Sequence, residues 1–135
     1  VEKKVEKDKV DKLKKWMTEN KITAGINIDD IKTIVNTHCH YDHIGGNKHF
    51  DAEILMHPED AICVEEKNPI TTASASFSND FEFKPISKTI VEGDKIGDFK
   101  VIHTPGHSKG GICLYDGETL ISGDTIFLNF FFLLC

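Results

Sequence analysis

The segment from Thr37 to Asn47 carries the densest group of chemically active side chains in the sequence. Its residues, THCHYDHIGGN, place three imidazoles and one carboxylate within six positions, at His38, His40, Asp42 and His43. Neutral imidazole and ionised carboxylate are the side chains that coordinate zinc, iron and manganese. Four of them on one short segment can converge with little positioning from the rest of the chain. The spacing therefore predicts a metal site.

Two later segments present the same kinds of ligand at predicted strand ends. The first is HTPGHSKGG, where Pro and Gly form a tight turn and place His107 on a loop, and the second is SGDTIF, where a strand ends at Asp124. Loops at strand ends commonly carry binding residues. His103 shares a predicted strand face with apolar residues, so we interpret it as a packed imidazole rather than a ligand. These segments add His107 and Asp124 to the candidate site.

Taken in order, these three motifs resemble those of the metallo-beta-lactamase fold superfamily, and most closely its glyoxalase II-like hydrolase branch. The resemblance covers roughly residues 31–127. It implies an α/β fold, an αββα sandwich with two sheets inside and helices outside, and metals at one edge between the sheets. It also implies the division of the ligands, in which one metal is held by His38, His40 and His107, a second by Asp42 and His43, and Asp124 bridges the two.

The resemblance implies a metal-dependent hydrolase that uses a metal-bound hydroxide on a small thioester or related acyl substrate, with Asp42 as a catalytic residue. Zinc is the expected cofactor, and iron and manganese are the alternatives. The family supplies a last histidine after the GDTIF strand, and no counterpart follows Phe127. We therefore expect one tight zinc site and a weak second one. Two other functions stay open: a mononuclear iron dioxygenase acting on a sulfur substrate, and an inactive truncated remnant.

The amino-acid composition limits the classes of partner that this chain is expected to bind. The formal net charge is −6, and all 16 basic residues are lysine. An acidic chain without the arginine fork that clamps phosphate does not favour nucleic-acid binding. The apolar stretch at 126–135 has about half the length that a membrane-spanning helix needs. We expect a small-molecule substrate, with no nucleic acid and no membrane as partner.

The cysteines indicate a compartment. The sequence contains neither a CxxC pair nor the dense cysteine spacing of a disulfide framework. Its four cysteines are Cys39, Cys63, Cys113 and Cys135. Such cysteines are typical of free thiols in a reducing cytoplasm. We interpret Cys39, between two candidate ligands, as pointing into the core.

The remaining patterns predict the elements that position these residues. Apolar spacing favours an amphipathic helix at 5–20 and a helix at 57–66, with a loop at 67–85. Strands are predicted at 31–37, 53–56, 90–91, 99–104, 111–115 and 118–122, and Asp116-Gly117 is a hairpin signal between the last two. We expect a single incomplete domain over 1–135 with an atypical apolar tail at 128–135. An apolar surface left uncovered by the missing parts would favour self-association.

Overall fold

The computed structural model describes residues 28–76 and 82–127 and the short strand at 130–131. The helix predicted at 5–20 and most of the apolar tail lie outside the described residues. The chain divides into two compact units, residues 1–31 and 32–135. In the first unit the described residues, 28–31, contain a 3-10 turn, Ile28–Asp30, and the single-domain organisation stays a prediction.

A parallel three-stranded sheet begins the second unit. Its strands, in the order β1-β2-β3, are β1 Thr33–Val35, β2 Glu53–Met56 and β3 Lys88–Thr89. Strand β2 has the predicted bounds, and β1 is shorter than predicted. Strand β3 lies two residues earlier than the predicted strand at 90–91, because Lys88 and Thr89 pair with Leu55 and Met56.

An antiparallel four-stranded sheet follows. Its strands, in the order β4-β5-β6-β7, are β4 Lys95–Ile96, β5 Phe99–His103, β6 Ile112–Tyr115 and β7 Leu120–Ile121. The predicted turn between β6 and β7 is confirmed, since the Asp116 carboxylate accepts hydrogen bonds from the backbone N–H groups of Glu118 and Thr119. Two further strands, β8 Ile126–Phe127 and β9 Phe130–Phe131, pair antiparallel.

Two short α-helices lie on the first sheet's side of the unit. Helix α1 is a single turn, Tyr41–Ile44, that was not predicted from the sequence, and α2 is Pro58–Glu65, close to the predicted 57–66. His57 caps α2 because its Nδ1 accepts a hydrogen bond from the Glu59 N–H at 3.3 Å. Pro58 in the first turn also favours a helix start there.

Two clusters of buried side chains define the layers. One joins the two sheets and consists of Leu55, Ile90, Val101, Ile112 and Leu114. The other joins the helices to the first sheet and consists of Cys39, Ile44, Met56, Ala61 and Val64. The predicted mixed α/β sandwich is thus confirmed as a partial one, and Cys39 points into the core as predicted.

In the part of the chain that the structure describes, no helix combines the length and apolarity needed to cross a bilayer. Apolar side chains are exposed near the end of the second sheet, among them Leu120, Ile121 and Ile126, each at least 40% exposed. Self-association through such a surface stays a prediction.

Candidate metal centre

Candidate ligands from four segments meet at one edge of the two sheets. His38 and His40 follow β1, and His43 lies on α1. His107 comes from the loop between β5 and β6, and Asp124 lies in the 3-10 turn Gly123–Thr125 after β7. Segments up to 86 residues apart in the chain therefore contribute to one site.

These side chains form two overlapping groups. The first is His38, His40 and His107, and the second is His38, His43 and Asp124; within each group the candidate donor atoms all lie within 4.8 Å of one another. Asp124, a member of the second group, also lies close to the first, with its Oδ1 3.1 Å from His43 Nε2 and its Oδ2 3.4 Å from His107 Nε2. Asp124 therefore lies close to an imidazole of each group, and a bridging role for it stays a prediction.

His38 is the central imidazole of the site. Its ring centroid lies 4.1 Å from that of His43, 4.7 Å from that of His40 and 4.9 Å from that of His107. Burial, together with the neighbouring imidazoles of His43 and His40, lowers the pKa of His38 to about 4. Burial and the nearby His107 also lower the pKa of His40. These imidazoles are consequently neutral at pH 7, with lone pairs that can coordinate a cation.

The donor set fits a divalent metal. His38 Nε2 is buried and has no hydrogen-bond partner among the described residues. A buried polar atom without a partner costs about 1–3 kcal/mol, and metal coordination would remove that cost. Imidazole nitrogens beside a carboxylate suit zinc, iron or manganese.

Asp42, a predicted ligand, lies at the rim of the candidate metal centre. Its side chain is 57% exposed, and its Oδ2 lies 3.6 Å from His43 Nε2. Among the described residues, neither group includes Asp42, and the second group contains His38 where Asp42 was expected. Coordination by Asp42 stays a prediction.

Short contacts hold the ligand segments against one another. The Ile112 N–H donates to the Thr37 carbonyl at 2.9 Å, which ties the residue before His38 to β6. The hydroxyls of Thr104 and Thr125 lie 2.9 Å apart and link the β5 end to the Asp124 turn.

A buried pair of asparagines holds helix α1 in place. Asn47 Nδ2 donates to Asn36 Oδ1 at 2.7 Å, and Asn36 Nδ2 donates to the His43 carbonyl at 3.1 Å. The Tyr41 N–H donates to the Thr72 carbonyl at 2.8 Å. None of these three supporting residues was predicted from the sequence: Asn36, Asn47 and Thr72. A polar residue inside a predicted buried strand, as Asn36 is within 31–37, was the available signal.

The other histidines lie outside both groups in the described part of the chain. His57 and His103 stack in parallel with ring centroids 4.0 Å apart, and burial together with His103 lowers the pKa of His57. His103 Nε2 also lies 3.0 Å from the Lys109 carbonyl oxygen, in keeping with its interpretation as a packed imidazole. His49 is exposed.

A cavity of about 580 Å³ opens beside the first group, at His40 and His107. Its other walls include Cys63, Ile70 and Pro105, with Lys109 among its polar residues. Sites for small molecules usually have volumes of about 300–1,000 Å³, so this cavity can admit one.

Several curated proteins have sequences similar to that of this chain. A hydroxyacylglutathione hydrolase of Hydrogenovibrio crunogenus is 37% identical over 98 residues, which cover 70% of this chain and 31% of that protein. An acyl-coenzyme A thioesterase of Gallus gallus is 35% identical over 114 residues, which cover 69% of this chain and 41% of that protein. The chain spans about half, or less, of the length of the curated relatives it matches.

Solved structures share the fold. A protein crystallised in a di-iron-bound form superimposes with a TM-score of 0.64 and 28% identity, covering 84% of this chain and 58% of that one. Residues 12–134 match the family model described as the metallo-beta-lactamase superfamily. The chain therefore belongs to the metallo-beta-lactamase superfamily, a family of metallo-hydrolases.

Proposed function

We propose that this chain forms the metal centre of a hydrolase that cleaves a small thioester or a related acyl compound. The observation that carries the proposal is the convergence of four histidines and Asp124 beside a cavity of about 580 Å³. The names of two relatives, a hydroxyacylglutathione hydrolase and an acyl-coenzyme A thioesterase, support the substrate class.

The first group, His38, His40 and His107, is proposed to hold zinc tightly. The second group, which includes His43 and Asp124, is proposed to hold a further ion more weakly, because it shares His38 with the first group. Iron and manganese are the alternative metals, and the di-iron form of a structural relative supports iron among them.

When bound, a divalent metal lowers the pKa of water and polarises the carbonyl group under attack. Because the pKa values of His38 and His40 are lowered, both rings are neutral at pH 7, and neither has to lose a proton before it coordinates a metal. Asp124 supplies a negative charge between the two groups. Asp42, exposed at the rim and 3.6 Å from His43, is proposed to accept on its carboxylate the proton that the attacking water loses and to donate it to the leaving group.

The walls of the cavity would orient the substrate. Ile70 and Pro105 offer apolar surface for an acyl chain, and Lys109 offers a positive charge at the cavity's edge. The thiols of Cys39, Cys63 and Cys113 are free, which supports a reducing compartment, and we propose the cytoplasm.

The test begins with the full chain stripped of metal by a chelator. Zinc is titrated back in competition with a chromophoric chelator, and hydrolysis of a short-chain acyl thioester is followed by thiol release. We expect one tight zinc site and zinc-dependent hydrolysis. His107→Ala should lose the tight site, whereas the matched control His49→Ala, at an exposed position, should keep it.

Other outcomes reject specific parts of the proposal. Two equally tight sites contradict the asymmetric assignment. One bound iron with oxygen uptake on a sulfur substrate supports the dioxygenase alternative instead. Absence of zinc binding by the folded chain refutes the proposal as a whole.

A further inference from the structure

Asp60, in the first turn of α2, is a carboxylate with no exposed surface. Its Oδ2 accepts hydrogen bonds from the Cys39 N–H at 2.8 Å and from the Ser108 hydroxyl at 2.7 Å. Its Oδ1 accepts a third from the Gly110 N–H at 2.6 Å. All three donors lie outside the helix that carries Asp60.

The three donors belong to the two segments that supply the first ligand group. Cys39 lies between His38 and His40, and Ser108 directly follows His107. The donors are 21, 48 and 50 residues away from Asp60 along the chain. One buried carboxylate therefore joins both segments of the site.

The contact between Asp60 and the second segment is close on the backbone as well. A Cβ added at Gly110 would lie 2.6 Å from the Asp60 nitrogen and 2.8 Å from its Cβ. The loop after His107 thus packs directly on the first turn of α2. A buried carboxylate is costly unless donors surround it, and here those donors come from the ligand segments.

We infer that Asp60 is a positioning residue for the metal centre, holding the His38–His40 segment and the His107 loop at the separation that metal binding needs. The inference rests on the proposed metal site and adds a residue that is not among the proposed ligands. Groups that orient ligands in this way commonly affect metal affinity 10- to 100-fold. Preorganisation by Asp60 would place the three imidazoles before the ion arrives.

The chemistry of the amide makes Asp60→Asn a sharp test. An amide has one accepting oxygen and one donating NH2 group. If NH2 replaces Oδ2, it faces the Cys39 N–H, and if it replaces Oδ1, it faces the Gly110 N–H. Either orientation leaves one backbone donor of a ligand segment without its acceptor.

The matched control is Asp116→Asn. Asp116 also accepts hydrogen bonds from two backbone N–H groups, those of Glu118 and Thr119, but in the β6–β7 turn. Both variants are compared with the unaltered full chain in zinc affinity, in the visible absorption spectrum of the cobalt-loaded protein, and in unfolding with a chelator present. The cobalt spectrum reports coordination geometry, which a change in fold stability alone does not alter.

We expect Asp60→Asn to bind zinc about 10- to 100-fold more weakly and to change the cobalt spectrum. Asp116→Asn should bind zinc as tightly as the unaltered chain and keep its spectrum. Ser108→Ala, which removes one of the three hydrogen bonds, should weaken zinc binding by a smaller factor.

The outcomes separate this inference from the proposed function. If the unaltered chain binds no zinc, the proposed function fails. If the unaltered chain binds zinc and Asp60→Asn matches it in affinity and spectrum, the positioning role is refuted while the metal site stands. If Asp60→Asn does not fold, Ser108→Ala decides, and an unchanged affinity and spectrum in that variant refutes the role.

Discussion

Replacing Gly123 with alanine would place a methyl group between two segments of the metal centre. The new Cβ would lie 2.5 Å from Thr37 Oγ1 and 2.7 Å from Thr37 Cβ, well inside van der Waals contact. Gly123 also has a φ of +49°, in the left-handed region that residues with a Cβ disfavour. Thr37 directly precedes His38, and Gly123 directly precedes Asp124, so the clash forces apart two segments that carry proposed ligands.

The two effects have separate magnitudes. The left-handed conformation costs an alanine roughly 1–2 kcal/mol. Forcing extra carbon into a closely packed contact costs about 1–3 kcal/mol. Together they predict a loss of roughly 2–5 kcal/mol in the free energy of unfolding, a large share of the 5–15 kcal/mol typical of a folded protein.

Gly97→Ala separates the two effects. Gly97 has a φ of +59°, similar to that of Gly123, and a Cβ added there would meet nothing within 4 Å. We expect this control to lose only the roughly 1–2 kcal/mol of backbone strain. Urea unfolding of both variants with a chelator present measures the difference, and zinc titration measures the effect on the site. Only Gly123→Ala should weaken zinc binding.

Equal losses of stability in the two variants, with unchanged zinc affinity in both, would refute this reasoning. That result would mean that Thr37 moves aside without cost and that the two ligand segments need not touch.

Three further predictions concern the core, the pH dependence and the ligands. Met56→Ala, at a fully buried core position, should lower the free energy of unfolding by about 2–5 kcal/mol, whereas Ile62→Ala, at a position 49% exposed, should have a much smaller effect in the same urea experiment. In the metal-free protein the stabilisation linked to neutral His38 should be present above pH 6.5 and should be lost as pH falls through about 4, because the pKa of His38 is lowered to about 4 in the folded state. The expected loss in the free energy of unfolding is about 3 kcal/mol, measured from unfolding curves across this pH range. A flat stability profile would contradict this prediction. His40→Ala should abolish tight zinc binding with little change in the melting temperature of the metal-free protein, while His49→Ala should keep zinc binding, and equal affinities by titration would remove His40 from the site.

Much of the candidate site followed from residue types and spacing. The candidate residues could be selected without knowledge of the fold. They are His38, His40 and His43 in one short segment, with His107 and Asp124 at later strand ends. The structure brings these five side chains together. They could be recognised from the sequence because few functions other than metal binding favour so many coordinating side chains in such short segments.

Features that depend on distant contacts were not predictable. Asp60 has the position of an ordinary acid in a helix's first turn, and its partners lie 21 to 50 residues away. Helix α1 was missed because four residues are too few for an apolar period to appear. Strand β3 was placed two residues late because its bounds depend on pairing with Leu55 and Met56, whereas Ile90 supplies the apolar signal.

The hydrogen bond from the Ile112 N–H to the Thr37 carbonyl has a consequence for how the protein opens. It joins a strand of one sheet to the segment that leaves the other, at the residue before His38. Ile112 is buried in the cluster between the sheets, so its amide reaches solvent only when those layers separate. Hydrogen exchange at this one amide would therefore report the whole unit's opening, and loss of the site would be a cooperative event rather than local fraying.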